Sequence, residues 1–128
     1  MIKYLLLILL TSCQQVIKFN IPPSLYKENI EVIIAPGEYM NEYDTSSIDY
    51  TMLDGLTTSS EGNVTIWVSS YKDNEAIINH ELFHATYAIM QWINIPLSNS
   101  SEEAYAYFLG YITEEFYKQA KIKQNVHN

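Results

Sequence analysis

Residues 80–84 read His80-Glu81-Leu82-Phe83-His84, and this short stretch constrains the chain more than any other. Residues four apart on an α-helix share one face, about one turn from each other. A helix here therefore presents both imidazoles to a single metal ion, with the Glu81 carboxylate bordering the same place. Two neutral imidazoles suit zinc, and a carboxylate just outside the ligand set can take a proton from water that the metal activates. The surrounding residues support the helix, since Ile78, Leu82, Ala85, Ile89 and Trp92 form an apolar stripe at helical spacing. Ile77, Tyr87 and Ala88 flank the histidines, so the segment reads as apolar nearly all round, which predicts a buried helix. Two histidines and a glutamate buried there need polar partners, and a metal supplies them. The competing reading is a pair of polar side chains on a solvated helix face.

A catalytic zinc usually takes three protein ligands and leaves one position open. Cys13 and His127 lie close to the two termini and are poor sources of the third. The segment from Ser98 to Tyr107 is better placed. Its serines and acids mark a helix start, and Ser100 with Glu103 fits a capping box. Capping and a favourable helix dipole are the alternative duty of both glutamates there. Glu103 is the preferred ligand, because its face continues through Ala106 and Gly110, which would let a neighbouring helix come close. The face of Glu102 runs through Tyr105, Ala106 and Leu109 and is bulkier, so Glu102 would support a ligand or cap the helix in solvent.

His80-Glu81-x-x-His84, eighteen intervening residues and then Glu103-x-x-Ala106 resemble the gluzincin metallopeptidases, the thermolysin-like group of zincins. Gly55-Leu56-Thr57, the strand-like Val64–Val68, the histidine helix and the Glu102-Glu103-x-x-Ala106-Tyr107 segment look like small single-domain metallopeptidases of phages and bacteria. The likeness covers about residues 50–118. It implies Zn²⁺ held by His80, His84 and Glu103, with Glu81 as general base in peptide-bond hydrolysis. It also implies that the strand before the histidine helix is a sheet edge that pairs with an extended peptide substrate. Larger gluzincins carry an aspartate soon after the glutamate ligand, where this chain has Tyr107.

At 128 residues the chain is one domain, and its 48% hydrophobic content is enough for a core. A formal charge of −8 argues against nucleic-acid binding, which needs a basic surface. All seven cations are lysines, so no guanidinium fork is present for phosphate or carboxylate. Among the eleven tyrosines, Tyr87, Tyr105, Tyr107 and Tyr111 are candidates to donate a hydrogen bond to a developing oxyanion at the metal.

Residues 1–13 combine a lysine, an apolar run from Tyr4 to Leu10 too short to span a membrane, and Leu10-Thr11-Ser12-Cys13. They resemble a bacterial lipoprotein signal ending in a lipidated cysteine, which implies export and a lipid anchor through Cys13. The alternative is a hydrophobic first strand in a cytoplasmic protein. Residues 14–29, with Ile21-Pro22-Pro23-Ser24, read as a linker. The metallopeptidase domain is expected over residues 30–121, followed by a frayed tail over 122–128. Within it, Ile30–Ile34 reads as a strand, Glu38–Tyr50 as an irregular acidic excursion, Leu56–Ser59 as a short strand, and Val64–Ser69 as a half-buried strand. One helix is expected from Ser70 or Asp73 to Ile93, ended by Asn94-Ile95-Pro96. A second is expected from Ser101 to Lys121, with Tyr105, Phe108, Ile112 and Phe116 as its core stripe.

The expected fold is therefore α+β, a minimal zincin-like domain with a small mixed or antiparallel sheet packed on two main helices. The expected function is zinc-dependent peptide hydrolysis, with a peptide or protein as substrate. The alternatives are a non-catalytic lipoprotein with a structural zinc, for which Glu102 is the obvious fourth ligand, and an interaction domain without metal.

Overall fold

The computed structural model describes residues 15–126. In chain order the elements are β1 (Ile17–Ile21), β2 (Asn29–Ile34), α1 (Gly37–Tyr43), a 3₁₀ turn (Tyr50–Met52), β3 (Gly55–Ser60), β4 (Asn63–Val68), α2 (Glu75–Trp92) and α3 (Glu102–Val126). The protein is α+β, with one mixed sheet ordered β1-β2-β4-β3. The outer pairs β1–β2 and β3–β4 are antiparallel, and the central pair β2–β4 is parallel.

The sheet packs α2 and α3 on one face. Ile17, Phe19 and Ile21 of β1, Ile30, Val32 and Ile34 of β2, and Val64, Ile66 and Val68 of β4 all point that way. They meet Ile78, Leu82, Ala85 and Ile89 of α2 and Tyr105, Phe108, Ile112 and Phe116 of α3. Both helical stripes fall at the spacing that keeps them on one side of a 3.6-residue turn. A smaller cluster covers the other face, where Ile33, Ala35 and Trp67 lie under Met40 of α1 and Tyr50. Tyr50 meets Trp67 edge-on at 5.0 Å, and the Trp67 indole N–H donates to the Ala35 carbonyl at 2.9 Å.

Several elements depart from the expectation. Residues 14–29 are not all linker, because Ile17–Ile21 adds a strand to the sheet. Its inward Ile17, Phe19 and Ile21 alternate with outward Lys18 and Asn20, a strand pattern that Pro22-Pro23 ends rather than prevents. The excursion after β2 holds α1, with Tyr50 tucked onto Trp67. β4 is not an edge. It lies between β2 and β3 and is buried on both faces through Trp67, so the edge role passes to the polar β3. The β3–β4 turn has Glu61 and Gly62 both at positive φ, the two-residue hairpin conformation that matches strand twist.

α2 starts at Glu75, later than Ser70 or Asp73. Its end follows expectation: Asn94 sits at φ 64, with bonds from Asn94 N to Gln91 O and from Ile95 N to Met90 O. That is a Schellman closure with asparagine in the left-handed place. α3 continues through Val126, five residues beyond the expected end. No helix among the described residues is long and apolar enough to cross a membrane.

Candidate functional site

The middle of α2 faces two ways. Ile78, Leu82, Ala85 and Ile89 are fully buried against the sheet and α3. His80 and His84, on the far side, are exposed, as are Phe83 and Tyr87. The helix is thus not buried all round, and the histidines do not need a metal to relieve desolvation. That reasoning applies to Glu81 alone, which is 6% exposed.

The two imidazoles lie as their spacing requires. His80 Nε2 and His84 Nε2 are 3.0 Å apart, with ring centroids at 4.7 Å. Without a metal, one ring donates its N–H to the other. Two zinc–nitrogen bonds of about 2.0–2.1 Å at a tetrahedral angle would separate their nitrogens by about 3.3 Å, close to the 3.0 Å found here. The donor pair fits zinc in type and in spacing.

Glu81 is turned from the histidines toward β3. Its Oε2 accepts a hydrogen bond from the Thr57 hydroxyl at 2.7 Å, and the same hydroxyl lies 3.1 Å from the Glu81 backbone carbonyl. The strand comes this close because residue 55 is glycine. A Cβ there would stand 2.8 Å from Ile77 Cγ2, 2.9 Å from Glu81 Cγ and 3.1 Å from Glu81 Oε1. β3 and α2 together form a cleft of about 660 Å³. Gly55, Leu56, Thr57 and Ser59 line one wall, and His80, Glu81, His84, Tyr87, Ala88 and Gln91 the other. No lysine is among these lining residues.

β3 ends the sheet, and no described strand pairs with its outer edge. A two-residue hairpin makes Ser60 and Asn63 a mutually bonded pair, and such pairs recur at every second residue. The Ser69 N–H bond to the Asp54 carbonyl at 2.9 Å keeps that phase. Ser60, Thr58 and Leu56 therefore bond β4, while Gly55, Thr57 and Ser59 turn their backbone N–H and C=O groups toward the open edge. Three of the four β3 residues that line the cleft, Gly55, Thr57 and Ser59, are thus the ones that offer backbone hydrogen bonds.

Glu103 is elsewhere. It is exposed on the first turn of α3 and does not line the cleft. Two contacts give the helix register: the Tyr117 hydroxyl donates to Asn79 Oδ1 at 3.3 Å, and Gln91 Nε2 donates to the Tyr105 hydroxyl at 3.1 Å. The helices run antiparallel, one residue to one residue. In that register His84 lies level with about residue 112, and Glu103 is displaced by about 13 Å along the axis at 1.5 Å per residue. Gly110 is exposed with nothing within 4 Å of a Cβ, so the small-residue face of Glu103, Ala106 and Gly110 points to solvent, not to a neighbouring helix. Glu102 is also exposed. Among the described residues no group of three or more His, Cys, Asp or Glu side chains is gathered to hold a metal ion. Cys13 and His127 lie outside the described residues.

The candidate tyrosines separate as well. Tyr105 donates to the Ile95 carbonyl at 2.7 Å, and Tyr111 donates to the Pro22 carbonyl. Tyr107 lies in a separate surface depression with Leu25 and Phe108. Only Tyr87 of the four lines the cleft. Thr57 was readable as part of a short strand but not as a partner of Glu81; a glycine two positions before a hydroxyl residue on that strand was the only available signal.

No protein-family profile matches this chain, and no match was found among curated proteins or among solved structures.

Proposed function

We propose that the cleft between β3 and α2 is the active site of a metal-dependent peptidase. The observation that carries this reading is the adjacency of two imidazole nitrogens 3.0 Å apart and a buried carboxylate between them in sequence, tied to a strand edge that no other described strand covers. His80 and His84 would hold Zn²⁺; Glu103, the third ligand that the motif spacing implies, would have to be carried to the cleft from the first turn of α3, where it stands in solvent. Zinc, when bound, supplies Lewis-acid polarisation of water and of the scissile carbonyl. The chain supplies the rest. An extended peptide pairs with the backbone of Gly55, Thr57 and Ser59. Glu81 takes one proton from the attacking water as oxygen bonds to the carbonyl carbon, then gives it to the departing amine nitrogen as the C–N bond breaks. Tyr87, which lines the cleft, would be the tyrosine to donate to the developing oxyanion.

The test is Glu81→Gln. We expect hydrolysis of a peptide pool to fall by about 10²–10⁴-fold, the usual worth of a general base, with zinc stoichiometry unchanged. A fully active variant sinks the mechanism. A second reading, a peptide-binding domain without catalytic metal, is supported by the want of a third gathered donor among the described residues. Zinc titration giving no saturable site at low micromolar metal would favour it. Anchoring through Cys13 belongs to the proposal too; labelled palmitate should enter the parent chain in bacteria and not a Cys13→Ala variant.

A further inference from the structure

Thr57 has its backbone on the open edge of the sheet and its hydroxyl on Glu81. The hydroxyl carries one hydrogen, and the 2.7 Å approach to Oε2 is shorter than the 3.1 Å approach to the Glu81 carbonyl, so the carboxylate is its main acceptor. Glu81 has three rotatable side-chain bonds, and this contact is what orients its carboxylate. Oε2 is thereby engaged. Oε1 borders the space that a Cβ would fill at residue 55, and glycine leaves that space open.

We propose that Thr57 is a positioning residue that fixes Glu81 through Oε2, so that Oε1 is the oxygen that exchanges the proton, and that it holds this base in one frame with the peptide paired to its own backbone. The proposal rests on the peptidase reading of the cleft. A water beside Oε1 and a carbonyl held on the edge at Thr57 are then placed by a single residue. Positioning of this kind affects the chemical step rather than peptide affinity, because the edge hydrogen bonds come from the backbone and survive side-chain replacement.

Thr57→Val keeps the branched shape and removes the hydroxyl; Thr57→Ser keeps the hydroxyl. We expect kcat to fall by about 10–100-fold in Thr57→Val, the range for loss of a supporting hydrogen bond, with KM and zinc affinity changed less than about threefold. Thr57→Ser should recover most of kcat. A readout without metal or substrate accompanies this. In metal-free protein, Thr57→Val should lower Tm by about 4 °C or more in the parent and much less in Glu81→Ala, because the two groups act as a pair. Unchanged kcat in Thr57→Val, or equal Tm losses in both backgrounds, overturns the proposal. So does an equal loss of kcat in Thr57→Ser. A parent protein inactive on every peptide, with the Tm pairing intact, overturns the peptidase reading itself and leaves Thr57 as a structural partner of Glu81.

Discussion

Glu81 and Glu103 are two acids of one motif, and the fold treats them differently. Glu81 is buried where α2 meets β3 and accepts a hydrogen bond from Thr57. Glu103 stands in solvent on the opening turn of α3. The spacing from His80 to His84 lies within one helix, so any helix at that place delivers it. The spacing from His84 to Glu103 crosses a loop. Its outcome depends on where α2 ends, where α3 starts and how the helices slide against each other. Here α2 continues for two turns beyond His84, and the Schellman closure at Asn94 delays the reversal. A motif within an element is a geometric statement, whereas a motif across elements becomes one only after packing.

Metal binding is the sharpest way to break the contrast. His84→Ala should weaken zinc binding by at least roughly 100-fold, beyond what loss of a supporting group costs. Glu103→Ala should change it by less than about tenfold if α3 sits in solution as it does here. Equal losses, read by competition with a chromogenic chelator, would mean that the first turn of α3 reaches the cleft when metal is bound. Stability tests the two faces of α2 in the same way. Leu82 is fully buried, and Leu82→Ala should cost about 2–5 kcal/mol in urea unfolding. His80 is exposed, and His80→Ala should stay within about 0.5 kcal/mol in the metal-free protein. A comparable loss would show that the histidine face packs against something.

Two glycines carry the comparison to smaller effects. Gly110, on the solvent face of α3, has open space where a Cβ would be, so Gly110→Ala should stabilise by about 0.5–1 kcal/mol. Gly55→Ala should destabilise by about 1–3 kcal/mol, because the new methyl meets Ile77 and Glu81 below 3 Å. If both substitutions have the same sign, β3 and α2 are not in close contact.

The legible parts of this chain were those whose signal is local. Ile78, Leu82, Ala85 and Ile89 of the expected α2 stripe, though not the exposed Trp92, and Tyr105, Phe108, Ile112 and Phe116 of α3 face the core as their period requires, and Asn94 ends α2 as expected. Strand order was not legible. The gluzincin resemblance implied that β4 is an edge, and Thr65 and Ser69 made it read as half-buried, yet Trp67 on that same side is covered by Tyr50 from 17 residues earlier. β1 was hidden because five residues of alternation are a weak signal beside two prolines. The depth of Glu81 was also out of reach, since it depends on how closely Gly55 lets another strand approach.

Asp44 offers a third carboxylate, and it separates burial from partnership. It is half-buried, less exposed than Glu103, and it accepts hydrogen bonds from the Tyr50 hydroxyl at 2.5 Å and from Ser46 N and Oγ. The Tyr50 bond, then those from Ser46, hold its pKa below the ordinary 3.8. A depressed acid contributes stability that is present above the unfolded value and lost as pH falls through the folded one. Burial first, and then the Asp44 contact, push Tyr50 up from 10.0 to about 12. A raised phenol contributes stability that is present below pH 10 and lost as pH rises toward 12. Tyr50→Phe removes the phenol's contribution and the leading cause of the Asp44 one, leaving the Ser46 bonds in place. Its Tm should therefore fall less steeply than the parent's below pH 4 and between pH 10 and 12. Parallel profiles for Tyr50→Phe and parent would mean that the Asp44 contact does not persist in solution, and that among the three acids only burial, as at Glu81, secures a partner.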